Sequence, residues 1–203
     1  MVATMAESSE TFPLRRRAVV RAILAERGDA LVIGGLGSAA WDITDAGDSP
    51  LNFPLWGAMG GTVAIALGLA IAQPGRRVLA LSGDGDLLMG LGSLATVAVQ
   101  APGNLVIVAL DNERYGETGM QETATADGVD LTGIARACGF KLAATLRDQT
   151  QLEAALPQIH SAPGPCFFTI KVRAESLPLV LPPKDGSELK LRFRRALLGD
   201  RPD

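Results

Sequence analysis

Apolar residues in this chain fall into short unbroken runs and into longer stretches with an apolar stripe. The runs at 30–33, 78–82 and 105–110 are short, rich in Val, Leu and Ile, and bounded by glycine, proline or Asp-Asn, and 166–172 reads as a further strand with Phe167 and Phe168. Such runs read as strands covered on both faces, the habit of parallel sheets. The stretch 14–26 carries Val19, Val20, Ile23 and Leu24 on one side, so it reads as an amphipathic helix. Arg15, Arg16 and Arg17 are expected on its polar face. Residues 87–100 form a second predicted helix, ended by Pro102-Gly103. Helices over 130–138 and 149–160 and a strand over 141–145 complete the alternation. Strands alternating with helices predict a doubly wound α/β fold, with a mostly parallel sheet and helices on both faces.

Composition narrows the picture. With 203 residues the chain suits one α/β domain plus a tail. A net charge of −3 gives no reason to expect nucleic acid or an anionic membrane as partner. The apolar segment 63–72 is too short to span a bilayer, and the first residues lack the apolar core of a secretory signal. Cys138 and Cys166 form no CxxC, so reduced thiols in a cytoplasmic protein are expected, without an iron–sulfur cluster. Residues 1–13 read as a flexible lead-in, 14–174 as the domain, and 175–203 as a Pro-rich, mixed-charge arm packing on a partner subunit. The lone histidine, His160, ends a helix and reads as a capping or solvent-facing residue.

The candidate chemistry lies between residues 78 and 112. Gly83-Asp84-Gly85 follows one strand and Asp111-Asn112 follows the next. A strand–helix–strand unit of this length places parallel strands side by side, about 5 Å apart. Asp84 and Asn112 then meet at the carboxyl ends, where open α/β sheets bind ligands. Both are hard oxygen donors with no His or Cys beside them, which suits Mg²⁺ completed by phosphate oxygens.

This spacing, with Trp56-Gly57-Ala58-Met59-Gly60-Gly61 upstream and Arg114-Tyr115-Gly116-Glu117-Thr118-Gly119-Met120-Gln121 downstream, resembles the thiamine diphosphate enzymes. The similarity runs from about residue 30 to 140. Its nearest flavour is the β subunit of sulfopyruvate decarboxylase and the corresponding half of phosphonopyruvate decarboxylase. The resemblance implies that Asp84, Asn112 and the backbone carbonyl of Arg114 hold Mg²⁺. It also implies that Gly83, Gly85 and Asp86 meet the diphosphate, and that Gly37 and Ser38 touch the terminal phosphate. Met59 would wedge the cofactor into its bent form, and Gly57 would accept from the pyrimidine amine. Tyr115 and Gly116 would lie over the cofactor, with Tyr115, Glu117 and Gln121 facing substrate.

The same resemblance implies what the chain lacks. The Glu that activates the pyrimidine belongs to a separate domain, and Glu7, Glu10 and Glu26 lie in nothing resembling it. A separate α-type subunit is therefore expected, in an α2β2 assembly, for a thiamine diphosphate- and Mg²⁺-dependent decarboxylase of a small 2-oxo acid. A sulfonate or phosphonate substituent is the leading substrate type. A carboligase or oxidoreductase subunit, or a cofactor-binding scaffold without turnover, stays open. Two other motifs compete. Gly35-Leu36-Gly37-Ser38-Ala39-Ala40 fits a dinucleotide-binding pattern, but the residues after it leave little room for the helix that pattern needs. Residues 111–122 have EF-hand-like acidic ends, but a strand stands where the entering helix belongs.

Overall fold

The computed structural model describes residues 8–199. Six parallel strands form one sheet in the order β2-β1-β3-β4-β8-β7. They are β1 (Leu31–Gly34), β2 (Asn52–Pro54), β3 (Val78–Gly83), β4 (Leu105–Asp111), β7 (Leu142–Leu146) and β8 (Cys166–Lys171). Between β4 and β7 lies a small antiparallel hairpin, β5 (Arg114–Tyr115) and β6 (Gln121–Glu122).

The unbroken apolar runs are explained by two cores. Val32, Leu79, Leu81, Val106 and Val108 face one side, and Leu31, Ile33, Val78, Ala80 and Ile107 face the other. The first core is covered by α1 (Arg16–Ala25), α2 (Ser38–Asp45) and α7 (Gln149–Ser161). The second is covered by α3 (Thr62–Ala72), α4 (Asp84–Met89), α5 (Ser93–Gln100) and α6 (Leu131–Cys138), with Phe193 of α8 (Gly186–Leu198). The fold is thus the doubly wound α/β architecture that the pattern predicts. Among the described residues no helix is long and apolar enough to cross a membrane.

Three local expectations are corrected. The single helix over 87–100 is two short helices that begin at Asp84 and break at Gly90-Leu91-Gly92. The break follows from a close backbone approach: a Cβ on Gly90 would stand 2.1 Å from the Gly60 carbonyl oxygen. Arg16 does not lie on a solvated face. It is 5% exposed and pairs with the fully buried Asp42, while Arg17 reaches Asp42 and Asp45. A helix, α2, does form after Gly37, so lack of room is no ground against a dinucleotide site. The tail, expected as an arm on a partner subunit, also packs on its own chain. Asp185 caps α8 by accepting from the N–H groups of Ser187 and Glu188, Phe193 packs on Phe53, and Arg192 pairs with Asp48. Part of the lead-in is also ordered: Ser9–Thr11 form one 3-10 turn with Ser9 buried, whereas residues 1–7 lie outside the described residues.

Candidate active site

Strand order fixes where the site opens. The chain passes outward from β1 to β2, then from β3 to β4 in the opposite direction, so the loops after β1 and β3 diverge and leave a crevice. A cavity of about 330 Å³ opens there. Gly83, Asp84, Gly85 and Asp86 line it from the β3–α4 junction, and Asn112, Arg114, Tyr115, Gly116 and Glu117 from the segment after β4. Ser38 and Met59 also face it. Gly83 pairs in register with Leu110, so Asp84 and Asp111-Asn112 follow adjacent strands as expected.

Three expected residues lie off the cavity wall. Gly57 stands in an exposed turn with open space about its Cα. Gly37 is covered by the Glu117 side chain, and its φ of +73° favours glycine. Gln121 closes the hairpin, where its side chain accepts from Thr118 Oγ1 and donates to the Thr118 carbonyl, both at 2.9 Å. Glu117 itself accepts from Trp41 Nε1 at 3.1 Å, and the Tyr115 ring lies against Gly85.

The electrostatics centre on Asp84. Its Oδ2 accepts from Thr123 at 2.6 Å, and Thr125 lies between it and Asp111, at 3.2 Å and 2.8 Å. Burial and the nearby Asp111 charge push the Asp84 carboxyl up to about 7, against the pull of the two threonines. Asp111 has its own cation: Lys171 Nζ sits 2.7 Å from it and 2.8 Å from Glu113. Burial would lower the Lys171 ammonium, but the two carboxylates outweigh it and raise its pKa. Asp84 has no such cation among its described contacts. A buried anionic oxygen facing a cavity is a fitting ligand for a divalent cation. Asn112 lines the same cavity, and its amide oxygen, which accepts the Arg114 N–H at 3.1 Å, adds a neutral donor. Among the described residues no three His, Cys, Asp or Glu side chains gather as a metal cage. An ion here therefore needs oxygens from elsewhere, such as a diphosphate.

The second acid of the Gly-Asp-Gly-Asp stretch has a different task. Asp86 accepts from the Gly60 N–H, Thr62 Oγ1 and Ser82 Oγ, each at 2.6 Å. It thereby ties the turn bearing Met59 to the end of β3. This side-chain role, Thr123, Thr125 and Arg16 were missed from sequence. The hydroxyls beside Asp86 (Ser82 next to the motif, Thr62 at a helix start) were the only signal for it.

The thiamine pyrophosphate enzyme family model, its C-terminal TPP-binding domain, matches residues 33–170. The chain belongs to this family. It is 38% identical to the sulfopyruvate decarboxylase subunit beta of Methanothermobacter thermautotrophicus, over 92% of this chain and 97% of that protein. It is 36% identical to the phosphonopyruvate decarboxylase of Streptomyces viridochromogenes, over 90% of this chain but only 46% of that one. The chain thus spans about half of the longer relative and nearly all of the subunit. The benzoylformate decarboxylase of Polynucleobacter necessarius shares the fold, with a TM-score of 0.68 at 20% identity over 86% of this chain and 36% of that one. The thiamine diphosphate-binding fold expected from the motif is therefore the fold observed.

Proposed function

We propose that this chain is the diphosphate-binding β subunit of a thiamine diphosphate- and Mg²⁺-dependent decarboxylase of a small 2-oxo acid. The observation that carries this reading is the meeting of Asp84 and Asn112 at the ends of adjacent strands, in one cavity with Met59. Asp84, Asn112 and the Arg114 carbonyl would hold Mg²⁺, while Ser38, Gly83 and Gly85 would face the diphosphate. The bound cofactor supplies the electron sink for loss of CO₂ from the 2-oxo acid. This chain's part is to anchor its charged end, to set its bend with Met59, and to cover it with the 114–122 hairpin. Tyr115 and Glu117, which line the cavity, are the substrate-facing candidates on this subunit.

Completion by an α-type subunit fits the outer surface. The face of α3 bearing Ala64, Ile65, Gly68 and Ile71 is apolar yet exposed, and Gly57 and Met59, in the turn before it, are exposed too. An α subunit supplying the pyrimidine-activating Glu would cover this face, in an α2β2 assembly. The relative named subunit beta, matched over almost its whole length, supports that division. The relatives' names favour a sulfonate or phosphonate substituent on the substrate. The test is co-expression with an α-type subunit, followed by CO₂ release from sulfopyruvate, phosphonopyruvate and pyruvate. Turnover should require both chains and Mg²⁺. Equal turnover by this chain alone would refute the shared site.

A further inference from the structure

Arg16 is a buried cation with most of its hydrogen-bonding capacity unused. It opens α1, is 5% exposed, and lines the cavity beside Ser38 and Ala39 of the first turn of α2. Its Nε donates to Asp42, whose other oxygen accepts from Arg17 Nε at 2.9 Å. Neither Nη1 nor Nη2 of Arg16 donates to any described residue. A guanidinium carries five N–H donors in a planar fork, and the two Nη atoms of Arg16 are not sealed in the core but open onto the cavity. The ion-pair cluster does not neutralise it. Three guanidiniums (Arg16, Arg17 and Arg21) share two carboxylates, Asp42 and Asp45. One positive charge is left over in the cluster, and Arg16 is the member that lines the cavity. The first N–H groups of the eight-residue helix α2 begin at the same corner, after the Gly37 turn.

We infer that Arg16 binds the terminal phosphate of the diphosphate cofactor, gripping a tetrahedral oxyanion with its free fork beside Ser38. This rests on the cofactor reading above and adds a residue to it. The rival ligand for such a fork is the anionic substituent of the substrate. Layering decides between them. Met59, the residue at the reacting end, precedes α3 on one face of the sheet, whereas Arg16 enters with α1 and α2 from the opposite face. Ser38, which would meet the terminal phosphate, stands on the Arg16 side, so that phosphate is the group Arg16 would reach.

The experiment titrates the full chain, with Mg²⁺ present, with inorganic pyrophosphate, thiamine diphosphate and thiamine monophosphate. Arg16→Gln should weaken pyrophosphate and thiamine diphosphate at least about tenfold, the scale of a charge-assisted hydrogen bond. It should also shrink the preference for the diphosphate over the monophosphate. Because Arg16→Gln strips Asp42 of a partner, Arg16→Lys serves as the variant that keeps the charge and the fold. Losing the fork, it should still bind pyrophosphate at least about threefold more weakly. Wild-type affinity in a folded variant overturns the inference, as does a wild type that takes no pyrophosphate. A raised KM for the 2-oxo acid with unchanged cofactor affinity also overturns it, by moving Arg16 to the substrate. Arg16-dependent pyrophosphate binding without thiamine diphosphate binding would keep the oxyanion corner and refute the cofactor reading instead.

Discussion

Removing the Asp86 carboxylate should loosen the site without touching its metal ligands. Asp86→Ala strands the half-buried Gly60 N–H and the buried Thr62 Oγ1, and leaves Ser82 Oγ only its 3.1 Å bond to the Gly83 carbonyl, where all three now bond Asp86 at 2.6 Å. Hydrogen bonds to a charged acceptor contribute about 1.5–3 kcal/mol each. Against their sum stands the cost of holding a carboxylate out of water, several kcal/mol. The net loss on truncation should be about 2–4 kcal/mol, measured by urea unfolding of the cofactor-free chain. Because Asp86 also fixes the turn that bears Met59, the folded variant, paired with its α subunit, should lose turnover more than cofactor affinity. Asp86→Asn retains one acceptor and should lose less. A change in stability below about 0.5 kcal/mol would refute the reasoning, since the stranded donors cannot be that inexpensive.

Two further outcomes follow from the same geometry. Since the Asp84 carboxyl is pushed up to about 7, its contribution to folding is full below the ordinary carboxylate range, about pH 4, and is lost as pH rises through about 7. A cation binds the ionised form, so Mg²⁺-dependent cofactor affinity should fall below pH 7, approaching about tenfold per unit. Calorimetry across that range checks it, and a flat profile down to about pH 5.5 would count against Asp84 as ligand. Gly90→Ala forces a Cβ to within 2.1 Å of the Gly60 oxygen, so it should destabilise the fold by about 3 kcal/mol in thermal or urea unfolding. A neutral result would show that the α4–α5 break has another cause.

The sequence made some parts legible because their causes are local. Gly83-Asp84-Gly85 ends a buried run, and Asn112 ends the next, so their meeting follows from strand pairing alone. The helix break at Gly90 was not legible, because its cause is a glycine in another turn, Gly60. Arg16 was hidden in a run of three arginines. Its burial depends on Asp42, which another helix presents, and no periodicity of α1 contains that information. Thr123 and Thr125 reach Asp84 from beyond the hairpin, and nothing in their neighbourhood marks them as its donors. The start of α8, by contrast, is written locally. Asp185-Gly186-Ser187-Glu188 is a capping pattern, and Leu189 and Phe193 stand four apart, as one buried helical face requires.

The central claim is that Asp84 and Asn112 hold a cation that in turn holds the cofactor diphosphate. Its most direct test is calorimetric titration of this full chain with thiamine diphosphate, with and without Mg²⁺, in wild type and Asp84→Ala. Binding that requires Mg²⁺ in the wild type and disappears in the variant is the expected result. Equal affinity with and without the metal, or in a folded Asp84→Ala chain, would contradict it.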